Sequence, residues 1–158
     1  MRRYYILSIT ILAFVIRFIS LLLLSRHINP EIWEYESMAV SMLQKKGFIY
    51  TNLNTVYHSF SYPGYVMLTA IFHFLTNHNF FILELFQILL ASITCFIVYL
   101  IAKIIFSEEV GLLSAFLFST HPGLIIYSTK MHELTLVVFL FVFIFWLMLV
   151  LDYKKIYK

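Results

Sequence analysis

Apolar positions in this sequence fall into long, nearly unbroken runs, unlike the short alternating stretches of a water-soluble domain. Four runs suffice to cross roughly 30 Å of hydrocarbon, which takes about 20 helical residues. They cover residues 4–24, 80–105, 110–127 and 132–151. Arg17 interrupts the first, Glu84 and Lys103 sit near the two ends of the second, and His121-Pro122 lies inside the third. The fourth is uncharged from Leu134 to Leu151. A shorter apolar piece, 65–75, contains His73; its length predicts a helix that lies along the interface or re-enters.

The one long polar stretch, 25–79, carries its own helix signals. Asn29-Pro30-Glu31 reads as a start, with Asn as N-cap, Pro at the first helical position and acids in the first turn. Lys45-Lys46-Gly47 reads as the stop, with Gly as the residue after the cap. Between them Ile32, Tyr35, Ala39, Met42 and Leu43 share one face, and Glu34, Ser37, Ser41, Gln44 and Lys45 the other. A second surface helix is expected after Pro63. The predicted fold is all-α and integral to a membrane: four transmembrane helices plus two amphipathic interfacial helices, in a single membrane domain.

Composition supports this. The chain has 158 residues, 62% of them hydrophobic and 12% charged, against roughly 45–50% and about 25% for a soluble domain. That excludes an ordinary cytosolic enzyme, a disordered tail and a nucleic-acid binder. The net charge of +3 comes from cations near span ends, not from a basic stripe. Arg2, Arg3, Lys103, Lys154, Lys155 and Lys158 all fall on one side if there are four spans, as the positive-inside rule asks. Both termini are then expected in the cytoplasm and residues 25–79 outside the cell membrane. The first run lacks an Ala-x-Ala-like cleavage site and reads as an uncleaved helix. A lone Cys95 in an apolar run gives no disulfide framework. His73, His78 and His121 show no metal-ligand spacing.

With that orientation Glu31, Glu34, Glu36 and Glu133 face one compartment. Several motifs lie around them. Glu31 is followed four positions later by Tyr35 and eight later by Ala39, then by Lys46-Gly47-Phe48. Downstream come Tyr62-Pro63-Gly64-Tyr65, Phe86-Gln87-Ile88-Leu89-Leu90-Ala91, and His121-Pro122-Gly123-Leu124-Ile125-Ile126-Tyr127-Ser128 before Glu133. In order, this set resembles the N-terminal part of the GT-C membrane glycosyltransferases, the polytopic enzymes related to protein mannosyltransferases and lipid A aminoarabinose transferases.

The resemblance implies transfer of a sugar from a polyprenyl-phosphate donor to an acceptor on the extracytoplasmic face. It makes Glu31 the first-loop acid, acting as base or helping to place a divalent metal, and Glu133 the second acid; Glu34 is a further catalytic candidate. Lys130, His132 and His58 are candidates to stabilise the leaving phosphate, with Arg17 if it points into the bundle, and Tyr35 is a substrate-binding candidate. One departure stands out: many members carry a basic residue just before Pro-Gly-Tyr, where this chain has Ser61 and Tyr62.

Each residue also has a plainer reading. Glu31 and Glu34 complement a helix N-terminus, Tyr35 is an interfacial aromatic, Glu133 caps the fourth span, and Arg17 pairs with Glu84. Because the family has further spans, the expectation is a fragment of such an enzyme, with donor- and acceptor-binding parts or a partner chain supplied from elsewhere. The rival expectation is a small non-catalytic multi-pass protein, an assembly partner or transporter subunit.

Overall fold

The computed structural model describes residues 2–24, 34–53, 55–58 and 60–156. Helix α1 spans Arg2–Leu23, α2 Glu34–Leu43, α3 Pro63–Thr76, α4 Phe80–Ile105, α5 Glu108–Thr120, α6 Pro122–Ser128 and α7 Leu134–Ile156. Three of them, α1, α4 and α7, are long and apolar enough to cross a membrane. The third expected span is not one rod. It divides into α5 and α6, bent by 57° at His121, because Pro122 has no N–H to continue the helix and pushes the preceding residue into extended backbone. His121 is indeed extended, and its Nδ1 accepts the Leu124 N–H at the start of α6. Counting the bent pair as one crossing gives four.

Helix α4 is central, packing against α1, α5 and α7. Gly111 lets α5 approach closely. A Cβ there would lie 3.0 Å from both the Tyr99 ring and the Tyr99 carbonyl oxygen. Since backbone cannot step aside, Gly111→Ala is expected to destabilise the helix pair by about 1–3 kcal/mol, measured by unfolding in detergent micelles. Below this contact Ser107 caps α5 by accepting the Val110 N–H, and Lys103 lies 3.7 Å from Glu108 across the turn.

The polar stretch forms a small layer of its own. Tyr35, Met38 and Ala39 on α2 pack against Tyr65, Val66 and Ala70 on α3, the i, i+3, i+4 stripe of an amphipathic helix. Both helices are present in the described residues, the expected start at Asn29-Pro30-Glu31 lying outside them, with two corrections. Helix α2 ends before Lys45, which itself takes the left-handed cap conformation at φ 60°, two residues ahead of the expected Gly47. Lys46 N–H then bonds Ser41 C=O and Lys45 N–H bonds Met42 C=O, the Schellman pattern. The described residues are also not wholly helical. Strands β1, Ile49–Asn52, and β2, Thr55–His58, form an antiparallel hairpin pairing Ile49 with His58 and Asn52 with Thr55.

Candidate functional site

The outer end of the bundle is built around Gln87. Buried on α4, it accepts a hydrogen bond from Tyr65 Oη at 2.5 Å and donates through Nε2 to the Lys130 carbonyl at 2.6 Å. One side chain thus joins α3, α4 and the 129–133 turn that leads into α7. Tyr65 meets the Tyr35 ring edge-on, with centroids 5.0 Å apart, and Tyr35 in turn meets His132 at 5.9 Å. Because Tyr65 and Gln87 are both buried, deleting either leaves the other unsatisfied. A double-mutant cycle of Tyr65→Phe and Gln87→Leu, read by thermal unfolding, is expected to give a coupling of about 1–2 kcal/mol.

Above this joint lies a groove of about 530 Å³ lined by Glu34, Tyr35, Phe60, Ser61, Tyr62, Pro63 and Glu133. It draws on the N-terminal ends of α2 and α3 and the residue preceding α7. Glu133 Oε2 is buried and has no hydrogen-bond partner among the described residues. His132 Nδ1 is 3.5 Å away, but it accepts the Leu134 N–H at 3.1 Å. Its lone pair is committed, so that nitrogen carries no proton to share with the carboxylate. Burial pushes the Glu133 carboxyl above its usual range, and the nearby Glu34 charge pushes the same way. Burial lowers the His132 imidazole, opposed by Glu34. Together these make a carboxylate that takes up a proton more readily than one in water, next to a neutral imidazole.

The groove therefore gathers Glu34, Glu133 and Tyr35, with His132 and Lys130 in the adjoining turn. His58 stands apart on the exposed strand β2. Glu31 lies outside the described residues. Arg17 is deep in the bundle and fully buried, and among the described residues its guanidinium bonds main-chain carbonyls where the sequence predicts a pair with Glu84. Its Nη1 donates to Ala13 C=O at 3.0 Å and Ser119 C=O at 3.1 Å, and Nη2 to Phe118 C=O at 3.4 Å. Gln87 and Tyr65 escaped individual notice in the sequence, although both sit inside the quoted motifs.

The sequence model of the dolichyl-phosphate-mannose-protein mannosyltransferases matches residues 60–157, more than half of the chain. The chain belongs to this family. No curated protein and no solved structure matches it. The region matched to the mannosyltransferase family takes in Tyr65, Gln87, the α5–α6 break and Glu133, so the joint and one wall of the groove are family territory. Glu34, Tyr35 and Arg17 lie before it. The protein is a member of a glycosyltransferase family with several helices able to cross a membrane.

Proposed function

We propose that the protein takes part in transfer of a sugar from a polyprenyl-phosphate carrier to an acceptor hydroxyl or amine, with the reaction centred on the groove between α2, α3 and the start of α7. The observation that carries this is the buried Oε2 of Glu133, without a hydrogen-bond partner among the described residues, in a chain of this family. The acceptor heteroatom attacks the anomeric carbon while the bond from that carbon to the phosphate oxygen breaks. The electron pair leaves with the polyprenyl phosphate, and the acceptor proton passes to Glu133. Burial, with the Glu34 charge as a smaller aid, keeps the proton affinity of Glu133 high, and Tyr35 forms a wall for the sugar. Lys130 and His132, in the turn before Glu133, are proposed to compensate the leaving phosphate, Lys130 by its charge and His132 as a neutral donor. Glu31 is proposed as a second acid of the first loop, and His58 as a more distant contact for a long donor. Arg17, committed to carbonyls, acts as a clamp and does not touch substrate.

The groove is proposed to open on the extracytoplasmic side, opposite the cations at positions 2, 3 and 103. Further donor- and acceptor-binding parts are proposed to come from additional spans or a partner chain. The test is sugar transfer from a radiolabelled polyprenyl-phosphate donor in membranes carrying the protein, compared with Glu133→Gln at equal abundance. Loss of transfer supports the reading. Equal transfer in the variant overturns it and favours a non-catalytic membrane role.

A further inference from the structure

On another face of α2 the structure brings together three side chains that the groove does not use. Glu36 from α2, His73 from the last turn of α3 and His78 from the turn before α4 offer ligand atoms all within 4.8 Å of one another. Glu36 is two positions from Glu34, roughly 200° around a helix of 3.6 residues per turn, so the cluster and the groove diverge from α2.

The local chain geometry makes the cluster. Asn77 and His78 are consecutive left-handed residues, with φ 54° and 63°. His78 N–H donates to the His73 carbonyl at 3.1 Å. That turn folds the His78 ring back until its centroid is 4.6 Å from that of His73. Phe80 closes the far side, its ring edge-on to His73 at 5.3 Å.

His73 carries the argument. It is 1% exposed, and neither ring nitrogen has a hydrogen-bond partner among the described residues. Buried imidazole nitrogens are normally satisfied. Here one of them lies within 4.8 Å of a ligand atom of another imidazole and of a carboxylate oxygen.

We propose that Glu36, His73 and His78 form a binding site for a first-row divalent transition-metal ion, Zn2+ above all. Two imidazole nitrogens and one carboxylate oxygen suit Zn2+ and not Mg2+ or Ca2+, which take oxygen ligands. In a tetrahedral site with bonds of about 2.0–2.1 Å the ligand atoms sit about 3.3 Å apart. The three groups reach that spacing by small side-chain rotations, helped by His78 being exposed and Glu36 only partly buried. The solvent side leaves the fourth position to water. The bound ion would tie α2 to the α3–α4 junction and so fix the helix that presents Glu34 and Tyr35 to the groove. The site stands on its own residues and does not depend on the sugar-transfer reading.

The test uses the full, tag-free chain in detergent micelles, titrated with Zn2+ by calorimetry and with Co2+ by visible absorption. One Zn2+ per chain is expected, with the intense d–d bands of low-coordinate Co2+, a melting temperature that rises with Zn2+, and no response to Mg2+. His78→Ala, at an exposed position, and the isosteric Glu36→Gln are each expected to weaken Zn2+ binding by at least the roughly 10-fold that loss of an outer partner already costs. His73→Ala is expected to do the same, with circular dichroism confirming its fold. His58→Ala, in exposed β2, is expected to bind like the parent. Absence of saturable Zn2+ binding overturns the proposal, as does parental affinity in both His78→Ala and Glu36→Gln.

Discussion

Glu133→Gln is expected to reduce sugar transfer by about 10²–10⁴-fold, the usual contribution of a positioned general base, without lowering the amount of protein in the membrane. Glutamine keeps the shape of the side chain and removes only its capacity to take a proton. The second half of that expectation follows from the same burial that makes the residue useful. The Glu133 carboxyl titrates above its ordinary range, chiefly because burial disfavours its charge. A carboxyl whose folded pKa is raised adds stability at low pH and loses it as pH rises through the folded value. At neutral pH the ionised side chain is a burden on the fold, so the neutral amide is neutral to stabilising. A loss of transfer with equal or higher stability separates a chemical role from a structural one.

The pH profile gives a sharper version. Transfer requires the carboxylate, so the acid limb of kcat/KM is expected above the ordinary glutamate pKa of about 4.3. Activity falls as pH drops through that limb. Glu34 contributes to the upward shift by its like charge. Glu34→Gln removes the contribution, and the limb is expected to move to lower pH. Because burial is the larger cause, that move is the smaller part of the shift; an acid limb at or below the ordinary glutamate range in the parent assigns the base to another group.

How much of this was readable beforehand depends on whether the deciding interaction is written in side-chain pattern or in main-chain geometry. Hydrophobic run length located α1, α4 and α7 closely, because length and apolarity are what a bilayer selects. The same measure is blind to the 57° bend between α5 and α6, since hydropathy carries no direction; Pro122 alone signals it. The hairpin was missed because its turn, between Asn52 and Thr55, begins with Leu53 at φ 46° where a glycine would have announced it. Tyr50, Thr51, Val56 and Tyr57 were the available signal, as β-branched and aromatic residues on either side of a short turn. At the site, Glu34 and Tyr35 are recognisable on the outer-loop helix and Glu133 at the mouth of the fourth span, yet their shared groove is made by α2 docking on α3. Glu36, His73 and His78 come from three elements, and no linear spacing joins them. Arg17 was legible as a costly intramembrane charge, but its partners are carbonyls, which every residue has.

Those carbonyls identify the second large effect, because the break in the third span is what needs the arginine. An α-helix leaves its last C=O groups without intrahelical partners. Phe118 would normally bond the N–H four residues on, and that residue is Pro122, which has none. Extended backbone at His121 carries the next N–H groups away from Ser119. Both orphaned carbonyls lie within the bundle and receive Arg17, whose Nη1 reaches Ser119 and whose Nη2 reaches Phe118. The guanidinium also lies 5.9 Å from the Phe118 ring and at the negative end of the α5 dipole, where a cation is favoured. Arg17→Met is therefore expected to destabilise the protein by about 2–6 kcal/mol, from one buried and one part-buried acceptor left unmet at about 1–3 kcal/mol each. Unfolding in micelles checks the size. The cause is checked by adding Pro122→Ala, which returns an N–H to the Phe118 carbonyl and lets α5 run on. If the clamp is compensation for the break, the double variant recovers part of the loss. Equal instability of Arg17→Met with and without Pro122→Ala would mean that the arginine serves the bundle in some other way.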